Sequence, residues 1–304
     1  MTAPDRPVVR VRGLRKSFGQ KVALDGLDLE VGVGEIVAIL GPNGAGKTTL
    51  MSVLEGLLAR DGGEVEVLGV DPGEADSEWR ERIGIVLQET AIEPLLTVRE
   101  SLELYSGYYR DPYPVEEVID LVGLGDSDGV RAGRLSGGQR RRLDVGIAMC
   151  GAPELLFLDE PTTGFDPAAR RSAWEMIAGL RLRATTVLLT THYMEEAAAL
   201  ADRVVIVSQG KVLAAGPPAT LGADRGMPTV ISFGLPAGHG ADGLPEPEGG
   251  VIASDGEGRF TLRTDSPTAD LAALTGWARA TGIELDELAV SPPTLEDVYL
   301  EITG

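Results

Sequence analysis

The sequence predicts an α/β protein: a largely parallel sheet with helices between its strands, a mostly helical segment inserted into it, and a smaller α+β unit behind it. Short β-rich apolar runs recur, each bounded by Gly, Pro or polar residues: Ile36 to Leu40, Ile83 to Leu87, Leu155 to Leu158, Val187 to Leu189 and Val204 to Val207. Runs of this length, apolar on both faces and separated by helical patterns, read as buried strands of a parallel sheet. Between Glu89 and Cys150 the pattern changes to helical spacing with few β-branched residues, which places a helical subdomain at about 89–150.

The pair Pro217 and Pro218, then the run from Ala223 to Pro228, break the pattern and set the expected domains at 1–222 and 223–304. The second unit offers strand-like VISF, VIAS and FTLRT, then a helix opened by Ser266 as N-cap with Pro267 at its first position and closed near Gly282. A strand is expected from Leu285 to Val290. The last helix takes Thr294 as N-cap with Asp297 three residues on, and places Leu295, Val298, Tyr299 and Ile302 on one face. Pro236 to Gly250 reads as a Gly/Pro-rich loop that leaves His239 in solvent, and no internal repeat is evident.

Composition narrows the partners. No stretch of the 304 residues approaches the run of roughly 18 to 20 apolar residues that a bilayer crossing needs. The opening residues have no apolar core of the kind a secretory leader carries, and Cys150 is a lone cysteine, so a reducing cytoplasm is expected. Cys150 reads as a small buried hydrophobe. The net charge is −20, and from Arg225 onward 13 acidic residues face four basic ones. Such a surface repels nucleic acid and anionic lipid, so no nucleic-acid partner is expected.

Chemistry enters with GPNGAGKT: Gly41, Pro42, Asn43, Gly44, Ala45, Gly46, Lys47 and Thr48. It satisfies the P-loop pattern and lies after an expected strand and before a helical run opened by Thr49. Glycines let backbone N–H groups converge on phosphate oxygens, Lys47 reaches the β- and γ-phosphates, and the Thr48 hydroxyl can ligate Mg2+. LFLDEP supplies an apolar strand ending in Asp159, which would hold Mg2+ through its water shell, and Glu160, which would polarise an attacking water as general base. A third peptide, LSGGQ (Leu135 to Gln139), precedes the helical RRRLDVGIAM. There Gly137 and Gly138 leave N–H groups free at a helix start and Ser136 adds a hydroxyl, a second anion site far along the chain from the first.

LSGGQ resembles the signature of the ABC ATPases, and the likeness runs over roughly residues 8 to 216 in that family's order: Phe18, the P-loop, Gln88, LSGGQ, LFLDEP, Asp166 in TTGFDP, and His192 in TTHYMEEA. The resemblance implies a P-loop NTPase core that takes ATP and Mg2+. It implies a head-to-tail dimer in which Ser136, Gly137, Gly138 and Gln139 act on nucleotide held by the P-loop of a second copy, with Asp166 acting across the interface. Phe18, where Tyr is commoner, would stack on adenine. Gln88 would contact Mg2+ and water and sense the membrane partner, and His192 would bond the γ-phosphate. Phe165 departs from the family's usual Leu, which implies altered packing with activity kept.

The C-terminal unit, ending in SPPTLEDVYLEITG, is similar to the accessory domain of ATP-binding subunits of daunorubicin-type drug exporters. There the transmembrane permease is a separate chain. The implied role is an ATP-hydrolysing subunit on the cytoplasmic face of the membrane, held peripherally by that permease, whose dimer closes on ATP and drives efflux of a drug or other small hydrophobic compound. A regulatory ABC ATPase that moves no cargo, or a soluble ribosome-associated one, is the alternative. The latter normally carries two motor domains, and a chromosome-maintenance ATPase would need a heptad-bearing insertion that this sequence lacks.

Overall fold

Alternation governs the first strands. In β1 (Val9–Phe18) Val9, Val11 and Leu14 are buried while Arg12 and Arg15 face outward, and β2 (Lys21–Val31) buries Leu27, Leu29 and Val31 in the same manner. The two pair antiparallel, with Val9 opposite Val31. The chain then enters β3 (Ile36–Leu40), buried at every position, and returns through β4 (Gly62–Val67) to complete a three-stranded sheet ordered β2-β1-β4. The sequence reading assigns no strand to this sheet. Its strands keep one charged face, so they lack the continuous apolar runs that mark doubly buried strands.

Each apolar run read as a strand lies in a second, six-stranded sheet. It comprises β5 (Ile83–Val86), β6 (Leu155–Asp159), β7 (Thr186–Thr191), β3, β8 (Arg203–Ser208) and β9 (Lys211–Gly216), in that order. All pairs are parallel except the antiparallel β8–β9. Helix α1 (Lys47–Leu54) joins the two sheets: its Leu50, Met51 and Leu54 share one core with Val11, Leu27 and Val65 of the first and Ile39, Phe157 and Leu188 of the second. Both sheets thereby bury apolar faces against one shared core.

Short α2 (Ser77–Glu81) is capped by Asp76 and buries Trp79, whose indole donates to the Val67 carbonyl at 2.8 Å. The helical segment holds α3 (Val98–Ser106), α4 (Val115–Leu121) and α5 (Gly137–Met149), which pack on one another, with α5 also against β5. Thr97 and Glu100 close a capping box on α3, and Ser136 and Gln139 close another on α5. Cys150 caps α5 from a fully buried position, with its thiol near the Leu102 and Gly146 carbonyls. Helices α6 (Pro167–Gly179) and α7 (Met194–Leu200) follow β6 and β7. The computed structural model describes residues 6–87, 92–236, 239, 243–256 and 258–303, so the expected start of the helical segment at Glu89 and part of the 236–250 loop lie outside the described residues.

The chain divides into Met1–Gly216 and Pro217–Gly304. The divide falls at the Pro pair rather than at 222, because α8 (Leu221–Asp224) packs on the last helix: a side chain on Gly222 would meet Pro293 at 2.5 Å. The second unit is a four-stranded antiparallel sheet, order β11-β12-β10-β13, from β10 (Thr229–Gly234), β11 (Gly250–Ser254), β12 (Arg259–Thr264) and β13 (Asp286–Ser291). Helix α9 (Pro267–Thr281) covers it, with Leu274 against Ile231, Phe233 and Phe260, and Gly282 ends it in a left-handed conformation. Ser266 stands at the N-cap, but its hydroxyl caps nothing; its N–H donates to Thr264 Oγ1 instead. In α10 (Leu295–Thr303), Leu295 and Val298 are buried and Tyr299 and Ile302 half-buried. Thr294 and Asp297 bond each other at its start, and His239 is exposed. Among the described residues no helix is long and apolar enough to cross a membrane.

Candidate active site

The loop after β3 is shaped by contacts that only glycine permits. A side chain on Gly41 would meet the Val207 carbonyl at 2.2 Å; Gly46, the N-cap of α1 at φ +106°, would meet that of Ala23 at 2.6 Å. The loop thereby folds so that the start of α1 opens into a cavity of about 520 Å³. Asn43, Gly44, Gly46, Lys47, Thr48 and Thr49 form one wall; Glu160, Thr163 and His192 form the second, and Phe18, Lys21 and Ala23 the third. Lys47 is only 5% exposed. Its ammonium donates to the Gly41 carbonyl at 2.8 Å and that of Pro42 at 3.3 Å, and stands 3.6 Å from Glu160 Oε1. Phe18, last in β1 and paired with Lys21 of β2, is 51% exposed, with Lys16 Nζ 5.5 Å from its ring centre.

Strand register sets the place of Glu160 in the second wall, with Asp159 buried behind the cavity lining. Asp159, last in β6, pairs with Thr190 of β7, whose hydroxyl donates to the Asp159 carboxylate and accepts the Glu160 N–H at 3.0 Å. Glu160 takes φ +45°, a left-handed conformation that costs a non-glycine residue on the order of 1 kcal/mol or more. Its Oε2 accepts from the Thr163 hydroxyl at 3.0 Å and lies 3.3 Å from His192 Nδ1. That His192 nitrogen is buried and makes no hydrogen bond. Beneath the site, Glu55 at the end of α1 is pushed up to about 7 by burial and then by the charge of Asp159.

Three features suit the cavity to a nucleoside triphosphate: helix-start N–H groups beside a buried ammonium, a Glu160–His192 pair on the facing wall, and an aromatic face at the rim. Among the described residues, no three His, Cys, Asp or Glu side chains form a ready-made metal site.

The remaining expected residues fall elsewhere. Ser136, Gly137, Gly138, Gln139 and Asp166 do not line this cavity. Ser136 Oγ accepts from the Gln139 N–H at 3.2 Å, the Gln139 side chain answers the Ser136 N–H at 3.0 Å, and its amide donates to Ser127 Oγ. Asp166 caps α6, accepting from Ala168 and Ala169 at 2.9 Å each. Ala45 is buried and Pro42 exposed in the loop, and Gln88 lies outside the described residues. Sequence reasoning passed over Thr190, Thr163 and Lys21. The Thr190 position was accessible in principle, as the residue that parallel pairing sets beside Asp159.

Comparison with known proteins agrees. Residues 24–163 match the ABC transporter family model, and residues 229–294 match the C-terminal domain model of ABC transporter domain-containing proteins. The daunorubicin resistance ATP-binding protein DrrA2 of Streptomyces coeruleorubidus is 38% identical, over 99% of this chain and 96% of its own. The Nod factor export ATP-binding protein I of Rhizobium sp. (strain N33) is 38% identical over 97% of each. Among solved structures, the ATP-binding cassette MJ0796, dimeric in a post-hydrolysis state with ADP and Pi, aligns with a TM-score of 0.61 at 26% identity, covering 69% of this chain and 98% of that one. Likeness over nearly the full length of these two ATP-binding proteins, with the phosphate loop and acidic strand end at one cavity, fixes the assignment: the chain belongs to the ABC transporter family as an ATP-binding, ATP-hydrolysing subunit.

Proposed function

We propose that this subunit powers efflux of a drug or other small hydrophobic compound through a separate transmembrane permease, working as a head-to-tail pair of copies on the cytoplasmic face of the membrane. The observation that carries the reading is the meeting of Lys47, Glu160 and His192 at the start of α1. Lys47 binds the β- and γ-phosphates, the loop N–H groups of Gly41 to Thr49 cradle them, and Phe18 stacks on adenine. Glu160 takes the proton of the attacking water, and His192, which shares the cavity wall with it, orients the γ-phosphate. Thr48 and Asp159 offer hard oxygen donors to Mg2+, which supplies charge neutralisation at the phosphates when bound; Gln88 would join them.

The signature residues Ser136 to Gln139 and the cap Asp166 stand away from their own cavity, which favours their use on a second copy's nucleotide. The dimeric MJ0796 cassette supports that pairing, and the daunorubicin resistance and Nod factor export names of the relatives support export. Tagged Glu160→Gln chain, held with Mg-ATP in membranes extracted by mild detergent, tests the assembly by mass spectrometry. Stoichiometric recovery of a polytopic membrane protein is expected. Recovery of ribosomal or other soluble components alone, across several detergents, overturns the transport role.

A further inference from the structure

One buried cation is not used by the chemistry above. Arg141 lies on α5, shortly after the LSGGQ peptide, and is 7% exposed. Its guanidinium reaches three backbone carbonyls from two other segments. Nη2 donates to the Asp159 carbonyl at 2.8 Å, Nε to that of Pro161 at 3.2 Å, and Nη1 to that of Leu87. Asp159 and Pro161 flank Glu160, so the guanidinium grips the chain immediately before and after the residue in the left-handed conformation. Leu87 immediately precedes Gln88. A planar fork with donors at fixed angles can satisfy several acceptors at once, which a lysine ammonium on a flexible stem cannot reproduce.

Burial pushes the Arg141 guanidinium below the ordinary arginine value, and the charges of Asp144, Asp159 and Glu196 act against that shift. A charge is kept in this interior only where its hydrogen bonds are met. The three carbonyls meet them: two stand on either side of Glu160 and the third follows the end of β5.

We propose that Arg141 is a positioning residue for hydrolysis, locking the signature helix α5 to the turn that aims Glu160 and to the strand end that leads into Gln88. It touches no substrate. A shift of α5 when its signature meets nucleotide is thereby passed to the carbonyls on both sides of Glu160. The inference rests on reading Glu160 as the general base.

The test compares Arg141→Met, Arg141→Lys and Glu160→Gln in the full chain, measuring kcat and KM for ATP with the melting temperature of each. Arg141→Met is expected to lower kcat by roughly 10- to 100-fold, the scale of a misplacement of about 1 Å at a reacting group, with KM within about threefold. Arg141→Lys is expected to fall between it and the parent. If Arg141→Met melts below the assay temperature, Arg141→Lys decides, because it keeps the charge and loses the fork: kcat must still fall while KM holds. A parental kcat in a folded Arg141 variant overturns the proposal, as does a parallel loss of kcat, ATP affinity and melting temperature, which marks a purely structural role. Parental turnover in Glu160→Gln would instead remove the reading of Glu160 on which it stands.

Discussion

Lys47 Nζ lies 3.6 Å from Glu160 Oε1, a cation and a carboxylate facing each other across the wall of one cavity with Lys47 5% exposed and Glu160 13%. Lys47→Ala removes the proposed phosphate contact and leaves Glu160 without the ammonium 3.6 Å away. Turnover is expected to fall by roughly 100-fold or more, the scale at which losing one preorganised donor acts. A coupled ATPase assay checks it, and activity within about threefold of the parent contradicts the assigned phosphate contact.

Glu160→Gln keeps the shape and removes the proposed base. Turnover is expected to drop by about 100- to 10 000-fold, with ATP binding within about threefold. Trapped with Mg-ATP, the variant is expected to double in mass by light scattering at high chain concentration. A monomer under those conditions would count against the two-copy site.

Phe18 is half exposed at the cavity rim. A base stacked on an aromatic ring gains about 1–3 kcal/mol, so Phe18→Ala is expected to weaken ATP binding by roughly 5- to 100-fold, whereas Phe18→Tyr stays close to the parent. Titration of a fluorescent ATP analogue measures both. Equal affinities for Ala and Tyr would return Phe18 to the status of a surface residue.

Glu55 makes stability depend on pH. Its carboxyl titrates near 7 in the folded chain against an ordinary 4.5. Between those values the folded state holds a proton that the unfolded state has released, so the contribution is fully present below 4.5 and is lost as pH rises to about 7. The loss amounts to about 3 kcal/mol. In buffer free of divalent cation, Glu55→Gln is expected to flatten the fall in melting temperature between pH 5 and pH 8 and to raise it at pH 8. Identical pH profiles for the two chains would show that Glu55 is not the titrating group.

The sequence made the doubly buried strands legible because β3, β6, β7 and β8 are written as unbroken apolar runs, and the phosphate loop because its glycines sit between a strand and a helix. The β2-β1-β4 sheet was not legible: its period-two pattern is interrupted at Gly13 and between Lys16 and Ser17, where the register shifts. Glu160, Lys47 and His192 could be named from motifs, but their convergence depends on β6 and β7 lying side by side in parallel. Thr190, an unremarked hydroxyl in TTVLLTTH, became part of the site through that register alone. Arg141 was hidden for a different reason. In RRRL three arginines look equivalent, and only the turn of α5 decides which one goes inside.

The separation between LSGGQ and the cavity of its own chain has a kinetic consequence. If each catalytic centre is completed by a second copy, a dilute chain is half an enzyme, and its specific activity rises with its own concentration. A membrane partner that holds two copies side by side then supplies an effective concentration in the millimolar range. Under that arrangement the permease acts as a concentrator as well as a conduit, and ATP consumption stays low wherever the subunit is made without it.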